Sequence, residues 1–374
     1  MEPFKNEISP ELLGLLAELL GKHLPSLNAD SFVAPLLQRL PHLELKERVS
    51  LLAEAIHKVL PQPMEKRYPI LASMLHPDVE NSAGHSSTRE GMCGWGVWPL
   101  TEIIGKHGLN DFDASLALLK EMTKRGTSEF DVRPFIDDDP SRALKTILSW
   151  VHDDNHHVRR LASEGTRPRL PWGMRLKGLI ADPSATLPIL YALRDDPSEY
   201  VRRSVANHLN DIAKDHPDLV AELALQWLRD ASEPRRKLVR HACRSLIKQG
   251  HPGALAAFGF HGPEIVEPHI TITKPQIVLG GSIDFSVEIR STASQPQKLL
   301  IDYVVHFKKA NGLHMPKVFK WTTISLDVGE RRSLTRRHAI KPVTTRRYYD
   351  GKQQLMLRIN GQDFGMNTFQ LSME

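Results

Sequence analysis

The chain has 374 residues, 41% of them hydrophobic and 25% charged, a balance that excludes a disordered polypeptide and suffices for two or three domains with ordinary cores. Its two cysteines, Cys93 and Cys243, exclude a disulfide framework and a cysteine metal motif and point to a reducing, cytoplasmic setting. No apolar run approaches the roughly 18 residues of a bilayer span, and the amphipathic start is not a secretion signal.

The net charge of +5 is unevenly spread: from Pro268 onward there are 16 basic and 8 acidic residues, a net of +8, against −3 for the first 267 residues. The basic last third suits a polyanion, and charge alone fits a solvated basic face equally well.

In chain order, Leu12, Leu13, Leu15, Leu16, Leu19 and Leu20 fall at helical spacing and predict an amphipathic helix after Ser9. Gly94-Trp95-Gly96-Val97-Trp98-Pro99 reads as a loop entering a helix, with Trp98 in the core. Three segments then resemble one another, each an acidic turn followed by a helix marked Val-Arg: Trp150 to Arg160, Tyr191 to Arg203, and Trp227 to Arg240. Their anchoring valines, Val158, Val201 and Val239, stand 43 and 38 residues apart, the period of HEAT-type repeats, in which two antiparallel helices must stack on their neighbours to bury an apolar face. The expected fold is therefore mainly α, a right-handed HEAT-like-repeat α-solenoid over residues 1–262. Within each Val-Arg-Arg, at least one arginine is expected to tie repeats together.

After a linker at 263–267 the periodicity changes to two. Ile283, Phe285, Val287 and Ile289 alternate with polar residues, as do Ile301, Tyr303, Val305 and Phe307, and then Leu355, Leu357 and Ile359. Gly280-Gly281, Asn311-Gly312, Asp350-Gly351 and Asn360-Gly361 supply turns. Roughly seven strands over 268–374 predict an all-β immunoglobulin-like sandwich without its inter-sheet disulfide. Its basic pairs Lys308-Lys309, Arg331-Arg332, Arg336-Arg337 and Arg346-Arg347 sit near turns, where they can reach phosphates.

Two helical-region segments are more polar and aromatic than repeat packing requires: 123–135, containing Thr127-Ser128-Glu129-Phe130 and Arg133-Pro134-Phe135, and 161–172, containing Glu164-Gly165-Thr166-Arg167-Pro168-Arg169-Leu170-Pro171-Trp172. Glu129 and Glu164 are 35 residues apart, about one repeat, so a solenoid sets them on one face of adjacent units. Gly165, Pro168 and Pro171 break the helix and display Arg167, Arg169 and Trp172, and Pro171 can open the next helix with Trp172 beside its positive end. A solvated glutamate and a packing tryptophan fit the same residues. His152, His156 and His157 with Asp153 and Asp154 occupy a polar inter-helix turn that the next repeat builds without histidines, so they read as a connector and no metal is expected. Phosphate-loop, dinucleotide and nucleophile-elbow motifs are absent.

On the strings Thr127 to Phe130 with Arg133 to Phe135, and Ala162 to Trp172, the sequence resembles the AlkC group of DNA alkylation-repair proteins, HEAT-like-repeat glycosylases related to AlkD. Some members carry an extra immunoglobulin-like domain like the basic sandwich here. Gly126 departs from the pattern, which has a larger, often aromatic residue there. The resemblance implies hydrolysis of 3-methyladenine and 3-methylcytosine from double-stranded DNA without base flipping, with Glu129 and Glu164 as active-site carboxylates and Trp172 against the lesion deoxyribose. A cationic base is a good leaving group, so the enzyme must mainly stabilise an oxocarbenium-like sugar and orient a water. Arg159, Arg160, Arg167, Arg169, Arg202 and Arg203, with Lys308 and Lys309 on the sandwich, are the expected DNA-binding cations. No cofactor is expected, and nothing suggests more than a monomer. The alternatives are a non-catalytic scaffold for distorted DNA and a protein-docking solenoid.

Overall fold

A computed structural model describes residues 3–79, 85–344 and 346–373. By packing, the chain divides into two compact units, Met1–Asp215 and His216–Glu374. The change from helix to strand falls inside the second unit, between Ala257 and His269.

The first unit is helical among its described residues. Its first long helix, Pro10–Gly21, begins where Ser9 accepts a hydrogen bond from the Leu12 amide and Pro10 occupies the first turn, a combination that satisfies a free amide donor and fixes the entry angle. It buries Leu12, Leu13, Leu16, Leu19 and Leu20, each contributing about 1.5–3 kcal/mol of apolar transfer. Helix Leu45–Val59 opens with a reciprocal capping box between Glu44 and Glu47. Loop 94–97 leads into helix Trp98–His107, and Trp98 is buried at 8% exposure. No described helix is long and apolar enough to cross a membrane.

The acidic turns cap helices. Asn155 accepts from the His157 amide to open helix His156–Glu164, and Ser232 accepts from the Arg235 amide to open helix Glu233–Ala242 in the second unit. Val158, Val201 and Val239 are all buried, at 0%, 0% and 1% exposure. In the first unit, helix Glu199–Ile212 packs on helix His156–Glu164, and these two bring His157, Arg160, Glu164 and Tyr200 to the site described below.

The second unit holds helices Pro217–Trp227, Glu233–Ala242, Arg244–Gln249 and Pro252–Ala257, followed by eight strands among the described residues. These are β1 (His269–Ile272), β2 (Gln276–Val278), β3 (Ser282–Arg290), β4 (Gln297–Lys308), β5 (His314–Leu326), β6 (Arg331–Ala339), β7 (Gly351–Ile359) and β8 (Gln362–Ser372). They form a three-stranded sheet, β1-β3-β6, and a five-stranded sheet, β2-β8-β7-β4-β5. All pairings are antiparallel except β2 with β8. β2 is only three residues long, too short to show a period, which is why periodicity suggests about seven strands.

Ile283, Phe285, Val287 and Ile289 from one sheet and Ile301, Tyr303, Val305, Leu355, Leu357 and Ile359 from the other share a single core. The β7–β8 hairpin turns on Asn360-Gly361, with φ of 46° and 82°. That left-handed pair matches the strand twist and favours asparagine and glycine.

Candidate functional site

The two polar segments meet at a cavity of about 540 Å³ in the first unit, lined by Glu129 and Glu164 together with Arg160, Arg167, Trp172, Tyr200, Trp95, Trp98, Phe130 and His157. Glu129 comes from the turn after helix Phe112–Met122, where Ser128 donates to the Leu119 carbonyl at 2.8 Å. Its side chain is only 12% exposed. Thr127 Oγ1 donates to its carboxylate at 2.9 Å.

Glu164 ends helix His156–Glu164, one turn beyond Arg160, which puts both on the same face. The Arg160 guanidinium pairs with Glu129 Oε2 and reaches Glu164 Oε1 at 3.6 Å. It also donates to Thr127 Oγ1 at 3.0 Å and lies 5.3 Å over the Tyr200 ring. One cation therefore joins both carboxylates.

Glu164 is buried and held from three sides. Arg167 Nη1 donates to Oε1 at 2.5 Å and Ser204 Oγ donates to Oε2 at 2.6 Å. Burial opposes its ionisation, yet Arg160, Arg167 and the Ser204 hydroxyl outweigh that and hold the carboxyl below the usual carboxylate range. Arg167 is itself buried and bridges to Asp211 at 2.8 Å, and Lys214 completes the chain at 2.8 Å. Burial pushes His157 down to about 4, with His156 and Arg160 adding to the effect, so its ring is neutral at pH 7.

Trp172 is 57% exposed at the lip. The expectation that Pro171 opens a helix is not met, because the next helix is Lys177–Ala181. Instead Gly173 N donates to the Leu170 carbonyl at 3.2 Å and Trp172 has φ 66°. Proline followed by a left-handed residue makes a type II turn, so a turn displays the indole. Lys46 Nζ donates to the Trp172 carbonyl and lies 6.0 Å over the Phe130 ring, tying the lip to the N-terminal helices.

The other expected cations divide. Arg159 is committed to Asp196 at 2.6 Å and to the carbonyls of Asp153 and Asp154, and Arg167 to Glu164 and Asp211; both are ties within the protein, not free phosphate ligands. Arg202 donates to the carbonyls of Asp196 and Pro197. Arg169 pairs at the surface with Asp215 at 2.7 Å, and Arg203 is exposed. In the second unit, Lys308 and Lys309 line a recess of about 650 Å³ with Lys317, Arg346 and Arg347. Arg346 stacks there over Phe307 at 4.3 Å. Arg332 and Arg337 are paired instead with Glu330 and Asp284.

Arg133, which the sequence presents only as part of the Arg133-Pro134-Phe135 string with no role of its own, joins the two segments. It is fully buried, and it donates to the carbonyls of Gly165 and Arg167 at 2.8 Å each and to that of Met174 at 2.8 Å. Burial lowers its guanidinium to about 10, leaving it charged at neutral pH. Tyr200, Ser204, His208 and Asp211 are passed over as well. Their spacing of four, four and three residues along helix Glu199–Ile212 is a polar stripe, a signal available in the sequence. The histidine turn is more than a connector, since His157 lines the cavity.

Gly126 has a local cause. A Cβ there would stand 2.4 Å from the Gly94 carbonyl oxygen and 2.8 Å from Val97 Cβ, and Gly94 N donates to the Arg125 carbonyl at 2.9 Å. Segment 94–97 thus fills the space a larger side chain would take. It brings an aromatic row, Trp95 to Trp98 at 6.0 Å and Trp98 to Phe130 at 4.9 Å, to the cavity wall.

Comparison with known proteins bears on both units. Residues 127–246 match the family described as DNA alkylation repair enzyme, and residues 267–373 match the C-terminal Ig-like domain of the uncharacterised protein YhaZ. The chain is 37% identical over 365 residues to the uncharacterized protein YhaZ of Bacillus subtilis (strain 168), covering 97% of each. Among solved structures it resembles the Pseudomonas fluorescens alkylpurine DNA glycosylase AlkC bound to DNA containing an abasic site analog, with 36% identity, 99% of each chain covered and a TM-score of 0.75.

Proposed function

The chain belongs to the AlkC family of DNA alkylation-repair proteins, and on that basis we propose that it is a DNA glycosylase that hydrolyses the N-glycosidic bond of cationic N-alkylated bases, 3-methyladenine and 3-methylcytosine, in duplex DNA without flipping them. The observation that carries the reading is the convergence of Glu129 and Glu164 on Arg160 inside an aromatic-lipped cavity.

In this reading the two carboxylates stabilise the positive charge that grows on C1′ as the base departs, and they orient the water that attacks it. The depressed carboxyl of Glu164 supports this, because it is ionised throughout the neutral range. Trp172, displayed on its turn, offers an indole face to the deoxyribose and adds attraction for a cationic sugar. Arg160 pairs with both carboxylates in the free protein, and an incoming phosphate competes for the same guanidinium. Arg169, Arg202 and Arg203 in the first unit, and Lys308 and Lys309 in the second, supply phosphate contacts. Residues 1–262 read as HEAT-like repeats and 268–374 as an immunoglobulin-like DNA clamp; the buried repeat valines and the two sheets on one core support that division.

The test is release of free methylated base from methylated duplex DNA at saturating protein, comparing the unaltered chain with Glu164→Gln and Glu129→Gln. Loss of release in either variant, with folding and DNA binding intact, supports the glycosylase. No release by the unaltered chain favours a scaffold that binds distorted DNA without cutting it.

A further inference from the structure

Asp131 stands two residues beyond Glu129 and takes no part in the cavity. It is buried at 7% exposure against helix Trp98–His107. Thr101 Oγ1 lies 2.6 Å from Asp131 Oδ2 and 3.0 Å from the Trp98 carbonyl oxygen. A threonine hydroxyl has one proton, and a carbonyl oxygen only accepts. When the hydroxyl donates to Trp98, the contact at 2.6 Å is a hydrogen bond only if Asp131 supplies the proton.

The surroundings favour that neutral form. On the facing helix, a Cβ on Gly105 would sit 2.8 Å from Asp131 Oδ1, so the helix meets the carboxyl with bare backbone. The charged groups facing it are Glu102 and Lys106 on that helix and Glu129 on its own turn. Lys106 is already paired with Glu102 at 2.6 Å, and Glu102 also accepts from Ser50 at 2.6 Å. Arg133, two residues on, is spent on the carbonyls of Gly165, Arg167 and Met174. An ionised Asp131 would thus face two carboxylates with the nearby cation committed elsewhere. Burial, reinforced by Glu102 and Glu129 and opposed by Thr101 and Lys106, pushes its carboxyl up to about 7.

We propose that Asp131 is a positioning residue, held as a neutral acid that donates to Thr101 Oγ1 while the Thr101 hydroxyl donates its own proton to the Trp98 carbonyl, a chain that clamps the Glu129 turn to helix Trp98–His107. Phe130 makes the parallel apolar clamp, stacking on Trp98 at 4.9 Å. The catalytic consequence rests on the glycosylase reading; the protonation state does not. The sign follows from a raised carboxyl pKa. The chain is intact below about 7; above it Thr101 turns its one proton to the ionised Asp131, the Trp98 carbonyl loses that donor, and the buried charge is repelled by Glu102 and Glu129, which loosens the clamp. Base release therefore has an alkaline limb that belongs to Asp131, acting through Glu129.

Two measurements on the full chain test this. Infrared spectra of protein with isotope-labelled aspartate should show a neutral carboxylic acid band at pH 6 that fades through about pH 7 and is missing from Asp131→Asn. Single-turnover base release by Asp131→Asn, whose amide donates permanently to Thr101, should lie within about twofold of the unaltered chain at pH 6 and lack the alkaline limb. Thr101→Val removes the hydroxyl that stabilises the ionised form, so it should move the infrared transition to higher pH. Absence of the acid band at pH 6, or an Asp131→Asn profile with the same limb as the unaltered chain, overturns the proposal. If the unaltered chain releases no base, the glycosylase reading fails while the infrared band still decides the state of Asp131.

Discussion

Arg133 donates a hydrogen bond of 2.8 Å to the carbonyl oxygen of Gly165, the residue that follows Glu164. Further bonds from the same guanidinium to Arg167 and Met174 fasten the segment carrying Glu129 to the segment carrying Glu164 and Trp172. The carboxylates sit on separate elements; this buried cation ties those elements together, while Arg160 bridges the carboxylates themselves.

Replacing Arg133 by Met should therefore damage stability as well as chemistry. It removes several charge-assisted bonds and leaves buried carbonyls unpaired, a loss of about 3–5 kcal/mol on the scale of broken buried charge networks. Urea denaturation at pH 7 checks it; a loss below about 1 kcal/mol would show that the carbonyls find other partners.

Glu164→Gln should lower single-turnover base release by about 100-fold or more, the scale of removing one preorganised group at a developing charge. For the unaltered chain the sign with pH follows from a depressed carboxyl. The ion-paired form persists down through the ordinary carboxylate value of 4.5, so its contribution to stability is present above that value and disappears only as pH falls through the lower folded value. Thermal denaturation from pH 7 down to about pH 3 should show Glu164→Gln losing part of the acid-induced fall; an identical fall in both proteins contradicts the assignment.

Trp172 separates stability from activity. At φ 66° and 57% exposure it occupies a left-handed position that glycine adopts without cost, and the strain for another residue is about 1 kcal/mol. Trp172→Gly should keep or raise the melting temperature while base release falls. A variant that melts clearly lower would mean that the indole packs as a structural anchor.

Gly126→Phe, which restores the larger residue of the family pattern, should be harmful here because the Gly94 carbonyl and Val97 already fill that space. Overpacking of this kind costs about 1–3 kcal/mol. Calorimetry of Gly126→Ala and Gly126→Phe tests it, with a progressive fall expected; unchanged melting would show that segment 94–97 yields freely.

On the second unit, neutralising Lys308 and Lys309 to Gln should weaken DNA binding and lower the slope of log affinity against log salt by about 0.9 for each phosphate that is no longer neutralised. Titrations at several salt concentrations measure it, and an unchanged slope would remove these lysines from the DNA interface.

Local features were legible in the order of the residues alone: the leucine spacing that buries Leu12, Leu16 and Leu20, the buried repeat valines, of which Val158 and Val201 open their helices while Val239 lies late in its own, the change to alternating residues after the linker, and the strings around Glu129 and Glu164. These follow from side-chain period and turn chemistry, which act over a few residues. Folding in three dimensions settled what depends on partners distant in the chain. It committed Arg159 to Asp196 and Arg167 to Asp211, made a turn instead of a helix under Trp172, and added Ser204 and Tyr200 to the site from a helix that places Ser204 40 residues beyond Glu164. Whether a guanidinium is free or spent, and whether a carboxyl such as Asp131 keeps its proton, depends on burial and on the nearest opposite charge. Both are properties of packing, and no spacing along the chain contains them.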